Sequence, residues 1–143
     1  MQPRLPEADM LTVVTGPPCS GKSTYIRGHA HAGDIIIDLD RIALALTTED
    51  TAHHEYSQHV RSAARAARNA AVNYSLAISK NHPSIHAWII DCAAQPTARA
   101  GYRKLGATVV KLDPGMTTCL GRAEAERPPQ VTQLIRAWYA AQR

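Results

Sequence analysis

The chain has 143 residues, 45% hydrophobic and 20% charged, a size and balance that suit one domain able to bury its own core. Three cysteines form neither a C-x-x-C pair nor an even set, which argues against a disulfide framework or a thiolate metal site and fits a reducing compartment. The net charge of +4 admits an anionic partner without requiring one. No segment nears the ~18 apolar residues of a membrane span or carries the apolar core of a signal peptide, so a cytoplasmic location is expected.

In chain order, the apolar run 10–15 predicts a first strand, and the glycine-rich stretch TGPPCSGKST follows it. A helix is expected from about Gly21 to Gly28, and a second strand at 35–38. The region 40–80 reads as helical with a break near 47–50, and its later part places Val60, Ala64, Ala67, Ala71, Tyr74 and Ile78 on one face. A third strand at 87–91 leads to a helix with Pro96 in its first turn and Gly106 as its cap. The fourth strand is expected at 108–112, with helices at 117–126 and 131–142 separated by Pro128 and Pro129. Trp138 and Tyr139 are expected in the core, with stacking on a base as the alternative. Continuous apolar strands alternating with helices define an α/β class. We expect one three-layer domain over 1–143 with a parallel sheet of about four strands covered on both faces.

Gly16, Pro17, Pro18, Cys19, Ser20, Gly21, Lys22 and Ser23 satisfy the pattern G-x-x-x-x-G-K-[ST] at every fixed position, between a strand and a helix. Backbone N–H groups of such a loop and the positive end of the following helix make a concave anion site. Gly21 lets the main chain approach phosphate oxygens, Lys22 reaches the β- and γ-phosphates, and the Ser23 hydroxyl, followed by Thr24, can ligate Mg²⁺. ATP and magnesium are therefore the expected cofactors. Cys19 reads as a small loop residue rather than a nucleophile.

The second strand ends in Asp38-Leu39-Asp40, and a spacing of two puts both carboxylates on one side of an extended backbone. Ligands of open parallel sheets sit at the carboxyl ends of the strands. One acid would hold magnesium while the other accepts or orients the proton of an attacking hydroxyl; the alternative is that Asp40 caps the next helix. AWIIDC presents Asp91 at the end of the third strand in the form of a Walker B strand, so Asp91 competes with Asp38 for the metal.

GPPCSGKST followed by IIIDLD resembles the P-loop kinases of the shikimate, gluconate and polynucleotide kinase type, and the likeness covers about residues 10–130. The chain is similar to small P-loop kinases of the polynucleotide kinase-like or nucleoside monophosphate kinase-like group. That resemblance implies strand order 2-3-1-4, Asp38 near magnesium, Asp40 as acceptor-side base and Asp91 on the acceptor side. It also implies a lid at about 114–130 whose Arg122 and Arg127 close over the ATP phosphates; the alternative pairs them with Glu124 and Glu126 on a solvated helix. Two departures stand out. Polynucleotide kinase-type sequences carry an arginine three positions after the acceptor-side Asp, where this chain has Ala43. The shikimate type has a glycine triplet where this chain has Cys92-Ala93-Ala94, which argues against a shikimate acceptor.

The region 41–82 is where small kinases hold their acceptor. Arg61, Arg65 and Arg68 follow i, i+4, i+7 spacing there, a stripe that suits a phosphate of a nucleotide or strand and equally suits a solvated face. His53, His54 and His59 read as surface or substrate-region residues, since no metal set completes around them. The expected activity is transfer of the γ-phosphoryl of Mg-ATP to a hydroxyl or phosphate acceptor, a nucleotide or polynucleotide 5′ end. The alternatives are an ATP-hydrolysing or nucleotide-binding regulator and a small-metabolite kinase; no membrane partner is expected.

Overall fold

The computed structural model describes residues 11–48, 56–79, 81–82, 84–93, 95–126 and 129–142. Its elements run β1 (Leu11–Thr15), α1 (Lys22–His29), β2 (Ile35–Asp38), α2 (Leu39–Ala45), α3 (Gln58–Ser79), β3 (Ala87–Asp91), α4 (Pro96–Lys104), β4 (Thr108–Lys111), α5 (Met116–Glu126) and α6 (Gln130–Ala140). The four strands pair in parallel in the order β2-β3-β1-β4, as expected. Thr15 sits level with Asp91 on one side and Lys111 on the other, so three strands end together at one edge of the sheet.

Side-chain alternation builds a layer on each face. Leu11 and Val13 of β1 join Ile37, Ala87 and Ile89 against Val72 of α3, with Ile42 of α2 and Tyr102 of α4 packed beside them. Val14 and Trp88 point the other way, against Ile26 and Tyr25 of α1. A third cluster lies apart from both: Cys119 and Ala123 of α5 pack on Val131 and Ile135 of α6, and Cys19 of the first loop leans on them.

Because β2 and β3 are parallel neighbours, the chain between them must return along the sheet. The helix α3 makes that return, packing on β2 and β1. It therefore runs against the strands, with its first turns at their carboxyl ends. Its burial differs from the face predicted by spacing: Ala64, Val72 and Ser75 are buried, whereas Ala67 is exposed and Tyr74 is 60% exposed. Val60, Ala64, Ala71 and Ile78 of the expected face are covered, and the buried line shifts toward Val72 and Ser75, where the helix packs on β2 and β1. The break between α2 and α3 expected at 47–50, together with His53 and His54, lies wholly or partly outside the described residues.

Candidate functional site: a phosphate-binding loop facing strand-end acids

The chain leaves β1 through Gly16 at φ 156° and reaches α1 through Cys19 at φ 63° and Gly21 at φ 94°. Left-handed backbone at Cys19 and Gly21, directly before the uncapped first turn of α1, is the conformation found in anion nests. A Cβ on Gly16 would stand 2.5 Å from the Leu112 carbonyl oxygen and 2.6 Å from Ser20 Oγ, so no side chain fits there. Ser20 Oγ is buried and without a hydrogen-bond partner. Lys22 folds back over the loop, its Nζ donating to the carbonyls of Gly16 (2.9 Å) and Pro17 (2.8 Å). Ser23 and Thr24 are exposed in the first turn of α1. The buried, unpartnered hydroxyl, the left-handed turns at Cys19 and Gly21, the Lys22 ammonium and the uncapped start of α1 fit a phosphate chain.

At the end of β2 the structure corrects the expected geometry of the acid pair. The strand stops at Asp38, so the extended spacing does not carry through to Asp40, which lies in the first turn of α2. Asp38, not Asp40, is the helix cap: its Oδ1 accepts the Asp40 N–H at 3.1 Å. Magnesium at phosphate sites takes one or two carboxylates together with hydroxyl, water and phosphate oxygens. Ser23 and the second oxygen of Asp38 have that chemistry; among the described residues no cluster of three His, Cys, Asp or Glu side chains could enclose a metal by itself.

Asp91 at the end of β3 is heavily engaged. Its Oδ1 accepts the Ala93 N–H at 3.1 Å, and its Oδ2 accepts from Arg68 Nη2 at 3.3 Å and from the Tyr102 hydroxyl. Arg68 also donates to Tyr102. Burial first, then the bond to Asp91, pushes the Tyr102 phenol up to about 12. Sequence reading missed Tyr102, which lies on α4 in a polar stretch with no motif around it. Ala93 holds φ 41°, and its carbonyl is gripped at 2.8 Å by Arg99 Nη1 from the same helix.

Cys92 marks where these parts meet. Desolvation raises its thiol above the ordinary value although the residue as a whole keeps an exposed surface. The positive charge of Lys22 lowers the value, while the carboxylates of Asp91 and Asp40 raise it. The strand register sets Asp91 level with Thr15, where the loop begins, and Asp38 level with Ile90, so the ends of β2 and β3 present their acids beside the loop. From above, Arg122 Nη1 donates to the Cys19 carbonyl at 3.0 Å and stands 3.9 Å from where a Gly21 Cβ would be. The helix pair carrying Arg122 is fastened by Trp138 Nε1 to the Cys92 carbonyl (2.8 Å) and by the Tyr139 hydroxyl to Asp113 (2.7 Å). Trp138 is 3% exposed, in line with the core expectation. Arg61 and Arg65 are exposed on the first turns of α3, apart from this cluster, and Arg127 lies outside the described residues.

A four-stranded parallel sheet in this order, with a G-x-x-x-x-G-K-S loop between its inner strand and first helix, defines a P-loop nucleotide-binding protein of the NTPase fold. A family model described as an AAA domain matches residues 11–86, just over half of the chain, and the protein belongs to that family of P-loop, kinase-like NTPases. No curated protein matches the sequence. Among the described residues no helix is long and apolar enough to cross a membrane.

Proposed function

We propose that the protein is an ATP-dependent phosphotransferase that moves the γ-phosphoryl group of Mg-ATP to a hydroxyl or phosphate acceptor, a nucleotide or polynucleotide 5′ end. The observation that carries this reading is that the G-x-x-x-x-G-K-S loop opens at the sheet edge where β2 and β3 end in Asp38 and Asp91, with Asp40 in the first turn of the helix that follows. A hydrolysing P-loop protein also uses one such acid for magnesium, and it is the further acids beside the loop that suit the reception of a second substrate.

The roles follow from charge and reach. The N–H groups of Cys19, Gly21 and Lys22 hold the β- and γ-phosphates, with Lys22 leaving its carbonyl partners for the phosphate oxygens. Ser23 and Asp38 would hold magnesium, which neutralises charge on the phosphate chain when bound. Asp40 accepts the proton of the acceptor hydroxyl as its oxygen attacks the γ-phosphorus and ADP leaves. Negative charge then spreads over the equatorial oxygens, and Arg122 lies over the loop to meet it; such arginines contribute roughly 10³–10⁵ in rate in related systems. Arg127 would assist from the same lid, and Arg61 and Arg65 would attract phosphates of the acceptor.

Labelled ATP offered with 5′-hydroxyl oligonucleotides, nucleosides, nucleoside monophosphates and small alcohols tests the reading. Label is expected on a nucleotide or oligonucleotide. Lys22→Ala should abolish transfer, and Asp40→Asn should impair transfer far more than ATP affinity. Loss of ATP with no labelled acceptor would favour the hydrolysing regulator instead. Label on small alcohols alone would favour the metabolite kinase.

A further inference from the structure

We infer that Arg68 is the side chain through which the protein recognises a phosphate group carried by its acceptor, with Asp91 and Tyr102 as its positioning residues. The inference rests on the phosphotransfer reading and adds to it a specific receptor for acceptor charge.

Three observations carry it. Arg68 sits where α3 passes the carboxyl end of β3, its side chain 18% exposed, beside the Asp91 carboxylate, which is level with Thr15 at the start of the phosphate loop. Second, it is held by one corner only. Nη2 serves both Asp91 Oδ2 and the Tyr102 hydroxyl, and among the described residues the N–H groups of Nη1 and Nε have no partner. A guanidinium carries five N–H donors in a rigid fork, so three remain for an anion. An arginine serving stability alone would gain more by gripping the carboxylate with both nitrogens.

Third, the neighbouring helix offers no substitute. Ala43, three positions after Asp40, is 3% exposed and packed into the fold, and Arg41 lies on the exposed side of α2. Asp91, already accepting three hydrogen bonds, acts as the anchor that aims this cation. Arg65 and Arg61 continue the row about one and two turns closer to the start of α3, both exposed. They are placed to meet phosphates farther along a strand, whereas Arg68 meets the one nearest the receiving hydroxyl.

Calorimetric binding of a nucleoside, its 3′-monophosphate and a 5′-hydroxyl dinucleotide to the full chain tests the assignment. The wild type is expected to prefer the phosphate-bearing ligands by about tenfold or more, a usual margin for a charge-assisted fork. Arg68→Gln keeps an amide donor for Asp91 and Tyr102 but loses the charge, and should bring the ratio close to one. Tyr102→Phe should lower the ratio partway, and Arg68→Lys should restore part of it. Should Arg68→Gln fail to give a wild-type circular dichroism melting curve, Arg68→Lys and Tyr102→Phe make the same comparison. Preference for the monophosphate over the dinucleotide would identify a terminal monoester as the recognised group; the reverse would identify a diester. A folded Arg68 variant that keeps the full preference, or a wild type with none, overturns the inference. Labelled transfer from ATP judges the kinase reading separately: transfer without an Arg68-dependent preference sinks only the receptor, while the preference without transfer sinks only the kinase.

Discussion

Gly16 is the tightest residue of the site. A methyl group there would meet a backbone carbonyl oxygen at 2.5 Å, and a backbone atom cannot swing aside as a side chain can. At Gly21 a methyl group meets nothing closer than Arg122 Nη1 at 3.9 Å, so the cost there is mainly that of holding φ 94°. Gly21→Ala is expected to lose about 1–2 kcal/mol from strain alone, and Gly16→Ala clearly more, since a steric collision adds to it. Urea denaturation of the two variants measures both; equal losses would mean that the loop relaxes around Gly16. The need for glycine at these positions is legible in the sequence, because the motif fixes both. Which of them is crowded depends on Leu112, nearly a hundred residues away, and no local pattern reports that. Arg68 is a similar case: spacing placed it in a basic stripe with Arg61 and Arg65, but its burial against Asp91 and Tyr102 sets it apart.

At the scale of elements, the junction of β2 and α2 carries two duties in one residue. The Asp38 side chain caps α2 by accepting the Asp40 N–H, and the same carboxylate is the proposed partner of magnesium. Substitution separates the duties. Asn caps a helix about as well as Asp, so Asp38→Asn should stay within a few tenths of a kcal/mol of wild-type stability while weakening magnesium-dependent ATP affinity. Asp38→Ala removes the cap too, at about 1 kcal/mol. Thermal melting and nucleotide titration with and without magnesium give the two readouts, and full ATP affinity in Asp38→Asn would remove Asp38 from the metal role. The elements themselves were readable from apolar runs, proline and glycine, and most bounds agree within two residues, but α3 begins at Gln58, well after the break expected at 47–50. A second exception is the rotation of α3. Its apolar face is legible and largely covered, but packing against β1 and β2 turns it so that Val72 and Ser75 are buried while Ala67 and Tyr74 are exposed.

For the whole molecule, the site is fastened from both flanks by tyrosines. Tyr102 on α4 holds the β3 end through Asp91, and Tyr139 on α6 holds the chain after β4 through Asp113. Burial, reinforced by these carboxylates, raises both phenols above their ordinary value near 10, Tyr102 to about 12. A group whose folded value is raised keeps more protons folded than unfolded between the two values, so stability must fall as pH rises through that window. The contribution of Tyr102 is present in full below about pH 10 and lost toward about pH 12. Urea midpoints from pH 9 to 11.5 should decline, and Tyr102→Phe should decline less steeply over the upper part of that range. Parallel declines would show that the Tyr102–Asp91 bond does not couple to folding.

The sequence alone determined the phosphate-binding loop, the alternation of strands and helices, and the parallel sheet, because each depends on residues close together in the chain: glycines at fixed offsets, apolar runs of strand length, punctuation by proline. Tertiary structure decided which acid does what. Asp38, Asp40 and Asp91 are alike as residues and differ in what surrounds them. One caps a helix, one lies in the first turn of that helix, and one is anchored by an arginine 23 positions earlier and a tyrosine 11 positions later. Those partners arrive only when α3 and α4 fold back across the sheet, and long-range packing of that kind leaves no periodic trace in the chain.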